Sequence, residues 1–116
     1  MMLSGQILYE EDIVGEISTR SSSKYTEWSN VLRQRLQYAP SLHDRFLSIE
    51  IESWFNRKRI EALHRNDVDN IAKPVMDQMK PLGIITDDSL FYHLSSAKFG
   101  TDGEEKMTIR IREWVC

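Results

Sequence analysis

Hydrophobic and polar positions alternate most cleanly between residues 46 and 55. Leu47, Ile49, Ile51, Ser53 and Phe55 fall on one side, and Ser48, Glu50, Glu52 and Trp54 on the other. A period of two with one apolar side predicts a strand with one buried face. Upstream, Tyr25, Trp28, Leu32 and Leu36 recur at helical spacing. They predict an amphipathic helix over residues 24–38, closed by Tyr38-Ala39-Pro40, with Ser21, Ser22 and Ser23 as candidate N-caps. A second helix is predicted from about Asn70 to Lys80, with Ile71, Val75, Met79 and Leu82 as its apolar stripe. Pro74 then falls close to the first turn, where loss of an amide is tolerated.

Residues 5–19 hold two short β-prone runs, around Ile7 to Tyr9 and Ile13 to Ile17, with acidic residues and Gly15 obscuring their extent. Residues 90–99 and 106–115 form two further strands, joined by Gly100-Thr101-Asp102-Gly103, a hairpin loop by composition. The order β-α-β-α-β-β predicts an α+β fold, a small mixed sheet with helices packed on one face. With 116 residues and no internal repeat or linker, residues 1–116 are expected to form one domain.

Composition narrows the class. No apolar run approaches the roughly 18 to 20 residues of a membrane span, and the N-terminal segment lacks the pattern of a secretory signal. The one cysteine, Cys116, allows neither an intrachain disulfide nor a cysteine-based zinc site, so a reducing, cytoplasmic setting is expected. Net charge is −3, so charge alone does not announce a nucleic-acid partner. Its distribution is uneven. Glu10, Glu11, Asp12 and Glu16 crowd the first strand region, whereas Arg57, Lys58, Arg59 and Arg65 face only Glu61 between residues 57 and 65. That stretch reads either as a solvated loop or as a phosphate-contacting patch.

The chemistry-bearing segment is Asp67-Val68-Asp69-Asn70-Ile71-Ala72-Lys73-Pro74-Val75-Met76-Asp77, followed by Thr86-Asp87-Asp88-Ser89. In extended chain Asp67 and Asp69 would point the same way, and Asp69, Lys73 and Asp77 would share a helix face opposite Ile71, Val75 and Met79. A short loop returning Asp87 and Asp88 to the helix start would gather several carboxylates. Such a group repels itself unless a hard cation sits among it, and Mg²⁺ takes two or three carboxylates plus a substrate phosphate. Lys73 would then steady the oxyanion or orient the attacking water. Plainer roles exist for each residue. Asp69 or Asn70 serves equally as a helix cap, Asp69 and Lys73 as a surface ion pair of about 0.3–0.5 kcal/mol, and Asp87-Asp88 as a solvated turn. An EF-hand loop is excluded, because its sixth position would be Ala72 and its twelfth Gln78. His43, His64 and His93 are scattered singly; His64 adjoins the basic stretch and is a possible phosphate contact.

The string Asp67-x-Asp69-Asn70-x-x-Lys73-Pro74-x-x-Asp77, a Gly83-containing spacer, and Asp87-Asp88-Ser89 resembles the signature of the RusA-type Holliday-junction resolvases. The likeness extends from about Leu47 to Val115. It implies a small homodimeric α+β nuclease, of a kind often carried by phages and prophages, that cuts four-way DNA junctions by paired symmetric incisions with Mg²⁺ or Mn²⁺. By that resemblance Asp67, Asp69 and Asp88 are metal-binding carboxylates and Lys73 is the catalytic lysine. Asp87, Asn70 and Asp77 support them, and Arg57, Lys58, Arg59 and Arg65 contact DNA. Trp28, Trp54 and Met76 are candidates for a dimer interface. The chain departs from the pattern in its acidic, serine-rich first segment, which has no proline before Pro40, and in its negative charge. The alternatives are a nuclease for other branched or flapped DNA, and a catalytically inactive dimeric module binding DNA or, through its acidic N-terminal half, a protein.

Overall fold

The last strand in sequence is an inner strand of the sheet. The computed structural model describes residues 3–19, 24–43 and 45–115, apart from the side chains of Leu3, Ser4 and Val115. Four strands, β1 (Leu3–Val14), β2 (Leu47–Asn56), β3 (Phe91–Thr101) and β4 (Lys106–Val115), lie in the order β1-β4-β2-β3. β4 is antiparallel to both neighbours, whereas β2 and β3 run parallel. A parallel pair needs a long crossover rather than a tight turn. Here the crossover carries α2 (Ile60–Arg65) and α3 (Val68–Met79), while α1 (Tyr25–Leu36) joins β1 to β2. The result is a single α+β domain with a mixed sheet, as the hydrophobic pattern predicts.

One face of the sheet makes the core. Ile13 of β1, Leu47, Ile49, Ile51 and Phe55 of β2, and Met107, Ile109 and Ile111 of β4 are buried. They belong to one cluster with Trp28, Leu32 and Leu36 of α1 and Ile71, Val75 and Met79 of α3. Each such side chain contributes about 1.5–3 kcal/mol by leaving water. The Gln78 amide fastens the two helices together, donating to the Ser29 carbonyl at 3.0 Å and its hydroxyl at 3.1 Å. Trp28, 1% exposed, is a core residue and not an interface candidate.

The opposite face is open and explains the acidic first segment. Glu10 pairs with Arg110 across β1 and β4, and Asp12 accepts from the Thr108 hydroxyl at 2.7 Å. On the helix side Glu11 pairs with Arg35 of α1 and Glu16 with Lys24 at 3.1 Å, while on the open face Glu50 pairs with Arg112 at 2.6 Å. Arg110 also reaches Glu50 and Glu52, both at 3.5 Å. These carboxylates pair with neighbouring strands and with α1 within the chain.

Several expectations are corrected. The two short N-terminal runs are one twelve-residue strand with register shifts between Ser4 and Ile7 and between Ile7 and Tyr9, and Ile17 lies beyond it. The basic stretch is not a loop: Arg57–Arg59 form a 3₁₀ turn that runs into α2. α3 begins two residues earlier than expected, so Pro74 sits in its second turn. The missing amide leaves the carbonyl of Asn70 without a helical partner. Asn70 is exposed, so water can serve that carbonyl, while the Pro74 ring is buried. β3 and β4 are consecutive but do not pair, because β2 lies between them, so Gly100–Gly103 is not a hairpin turn. Gly83, at φ +78°, ends the turn after α3 with its amide donating to Lys80 at 3.0 Å. Ser21–Ser23 and Cys116 lie outside the described residues, and Lys24 is the N-cap residue of α1, with no side-chain cap bond.

Candidate active site and basic flank

α3 positions the acidic motif. Asp67 is its N-cap residue, in extended conformation, and its side chain makes no capping bond. Asp69 follows in the first helical turn rather than in extended chain. The two carboxylates therefore flank the start of one helix, both exposed. The start is anchored from both directions. The Ser96 hydroxyl of β3 donates to the Val68 carbonyl at 2.7 Å. Asn66, just before Asp67, accepts from the Thr19 hydroxyl at 2.9 Å and donates to the Ala62 carbonyl at 2.8 Å. Lys98 of β3 donates to the Leu63 carbonyl at 2.7 Å and holds α2 beside it.

Along the exposed side of α3, Lys73 pairs with Asp77 at 4.0 Å rather than with Asp69. That pair is mostly exposed and weak, so the ammonium group stays available. Asp87 belongs to the far end of the helix. It accepts from the Ser89 hydroxyl at 2.8 Å and faces Lys80 at 3.8 Å. The serine hydroxyl first, then the Asp88 amide, hold its carboxyl below the usual carboxylate range. Asp88 opens the short turn before β3 and faces a cleft of about 320 Å³ shared with Met76, Phe91, Tyr92, His93 and Leu94. Met76 lies two helical turns beyond Asp69.

Among the described residues no three His, Cys, Asp or Glu side chains form a ready-made metal cage. The donors still suit a hard divalent cation. Asp67 and Asp69 supply oxygen ligands from one exposed helix start, and Mg²⁺ is commonly held by one or two carboxylates plus waters and substrate phosphates.

The basic residues divide. Arg57 is exposed and only loosely paired with Asp102, at 3.5 Å. Arg65 is likewise exposed, 3.7 Å from Glu61. Lys58 is exposed, and its backbone amide donates to the Asn56 side chain at 2.9 Å. Arg59 turns inward, where it pairs with Glu105 and with Glu16 at 3.4 Å, reaches the Ile17 carbonyl at 3.3 Å, and lies over the Phe55 ring. Glu105 is a buried residue outside the acidic motif. Its carboxylate also accepts the amides of Ile17 at 3.2 Å and Asn56 at 2.9 Å. Only its place in the hydrophilic run Asp102–Lys106 marks it in the sequence, and that reads as a loop. His64 is exposed on α2, whereas His43 contacts the Gly83 carbonyl at 2.6 Å and His93 the Ser48 hydroxyl at 2.9 Å.

A small mixed sheet that presents two carboxylates and a lysine on one helix, with cations on the preceding turn and helix, has the makings of a phosphodiester-cleaving enzyme. The family comparison gives the same class. The family model described as Endodeoxyribonuclease RusA matches residues 12–112. The chain belongs to the RusA family of endodeoxyribonucleases. A search of the curated proteins found no match. No helix among the described residues is long and apolar enough to cross a membrane.

Proposed function

We propose that this protein is a divalent-metal-dependent endonuclease that resolves four-way DNA junctions, acting as a homodimer that makes two symmetric incisions. The observation that carries this is the start of α3. Asp67 and Asp69 flank it with exposed carboxylates, the Asp67 side chain is not used as a cap, and Lys73 stands one turn on. Asp67 and Asp69 would hold the cation, with Asp88, which faces the cleft beside Met76, as a more distant third acidic group. Bound Mg²⁺, or Mn²⁺ in its place, would polarise the phosphodiester and lower the pKa of a coordinated water. Lys73 neutralises charge developing on the phosphoryl oxygens, and Asp77 orients its ammonium group. Asn70 and Asp87 support the two ends of the same helix.

Arg57, Lys58 and Arg65 contact the DNA backbone from the preceding turn and helix. A four-way junction has approximate two-fold symmetry, which a C2 dimer matches with two equivalent sites. A DNA-cutting enzyme of this kind works in the cytoplasm, and its carriage by a prophage fits the same activity.

The test is cleavage of a labelled four-way junction beside linear duplex and a flap, with Mg²⁺, with EDTA, and with Asp69→Asn. Paired symmetric nicks in the junction alone, lost with EDTA and at least a hundredfold slower in the variant, are expected. No cutting of any substrate by folded protein with Mn²⁺ bound would leave a binding module instead. Cutting of the flap in preference to the junction would replace the substrate.

A further inference from the structure

The two outer strands of the sheet are built differently. β1 carries two register shifts and the successive charges Glu10, Glu11 and Asp12, and Arg35 of α1 reaches over it to Glu11 and the Asp12 carbonyl. Kinks, charges and a covering group are what keep a sheet edge from recruiting another strand. β3 has one irregularity, at its very start, where Tyr92 interrupts the register between Phe91 and His93. From Ser48–His93 to Asn56–Thr101 its register with β2 runs without a shift. Its one charged side chain, Lys98, is turned onto the Leu63 carbonyl. Tyr92, Leu94 and Phe99 are 53%, 43% and 36% exposed, and among the described residues no strand lies on its outer side.

We propose that the free edge of β3 pairs antiparallel with β3 of a second copy, across a two-fold axis near Ser96, making one eight-stranded sheet. This rests on the homodimer proposed above and names its surface. From His93 to Thr101 the regular edge offers a row of backbone donors and acceptors, and an identical strand satisfies them in the isologous way a two-fold requires. The small residues Ser95, Ser96 and Ala97 at the strand's midpoint let the two backbones approach. Size agrees. Eleven residues at about 3.3 Å each give an edge about 36 Å long. Across the smallest molecular extent of 21 Å, that is roughly 750 Å², close to the ~800 Å² per partner of a stable interface.

The seam also bears on the site. Ser96 is the residue whose hydroxyl holds the Val68 carbonyl, between Asp67 and Asp69. Each acidic helix start is thereby tied to the residue nearest the axis, and the two sites face one junction from either side of a single seam.

The test needs no DNA. Sedimentation of the full chain at micromolar concentration is expected to give a dimer, and Leu94→Lys with Ser95→Lys a folded monomer, since both positions are exposed. Spin labels on Ser95→Cys, in a Cys116→Ser background, give the geometry. Pairing through β3 predicts labels within about 25 Å of each other. Pairing through β1 would add three strand spacings on each side and separate the strands by about 34 Å. A monomeric wild type, a lysine variant that stays dimeric, or a separation beyond 30 Å overturns the proposal. A wild type that dimerises through β3 and cuts nothing would sink the nuclease and leave the seam. One that cuts junctions while the lysine variant remains dimeric would do the reverse.

Discussion

Replacing Glu105 by alanine is the most informative perturbation of the fold that carries the basic segment. Its carboxylate, 7% exposed, accepts amide hydrogens from Ile17 and Asn56 and pairs with Arg59, joining the residues after β1, the end of β2 and the turn before α2. A hydrogen bond to a charged group is worth about 1.5–3 kcal/mol, and an amide left buried without an acceptor costs about 1–3 kcal/mol. These values overlap rather than add. Arg59 is 30% exposed, so solvent screens its share of the ion pair. The expected loss is about 3–4 kcal/mol, a large part of the 5–15 kcal/mol typical of a domain. At about 4 °C per kcal/mol for this chain length, the melting temperature should fall by roughly 12–16 °C. Glu105→Gln keeps the volume and one acceptor and should lose about half as much. Urea and thermal unfolding by circular dichroism measure both, and amide exchange at Ile17 and Asn56 localises the effect. An alanine variant within 1 kcal/mol of wild type would refute the argument that this carboxylate pins three segments.

Other expectations follow from the same geometry. Lys58→Ala and Arg57→Ala should each reduce the slope of log affinity against log salt for duplex arms by about 0.9, whereas Arg59→Ala should spare the slope and lower the melting temperature; fluorescence anisotropy at several salt concentrations decides, and equal slope losses for Arg59 and Lys58 would contradict the division. Asp87 should titrate below its ordinary 3.8, chiefly through the Ser89 hydroxyl, so its contribution to stability is present above the unfolded value and lost as pH falls through the lower folded one; carboxyl NMR should show Ser89→Ala moving the midpoint upward. The Tyr9 hydroxyl is buried with no hydrogen-bond partner among the described residues, and burial, with Glu11 adding to it, pushes its pKa up to about 12. Tyr9→Phe should therefore be neutral or stabilising by up to about 1 kcal/mol near neutral pH. Wild type should lose stability between about pH 10 and 12 as this phenol is forced to ionise, and the variant should lose less; denaturant melts at pH 8 and pH 11 test both.

What could be read in the sequence is what burial writes there. β2 alternates because one side meets the core, and α1 and α3 carry stripes because each buries one side. α2 buries no residue fully, so it left no stripe, and its basic residues concealed a short helix. The strand order was hidden for a different reason. Gly100–Gly103 has the composition of a hairpin, but composition does not record that β2 takes the place between β3 and β4. Charges at Glu10, Glu11 and Asp12 masked the continuity of β1, since their partners Arg110, Arg35 and Thr108 lie far away in the chain. The acidic motif was legible as spacing, while its placement at a helix start, and the inward turn of Arg59, depend on contacts with Ser96, Asn66 and Glu105.

The inner position of β4 has a consequence for synthesis. Among the described residues β1 pairs with β4 alone, so it stays unpaired until residues 106–115 leave the ribosome. β2 likewise waits for one of its two sides. Before that moment the nascent chain can form its helices, but Met107, Ile109 and Ile111 are absent from the core against which they would pack. Pairings that span nearly the whole chain are slow to form and late. The acidic helix start can thus be tied to Ser96 of β3 before β4 is made, but the sheet that carries β3 is completed only when β4 pairs with β1 and β2.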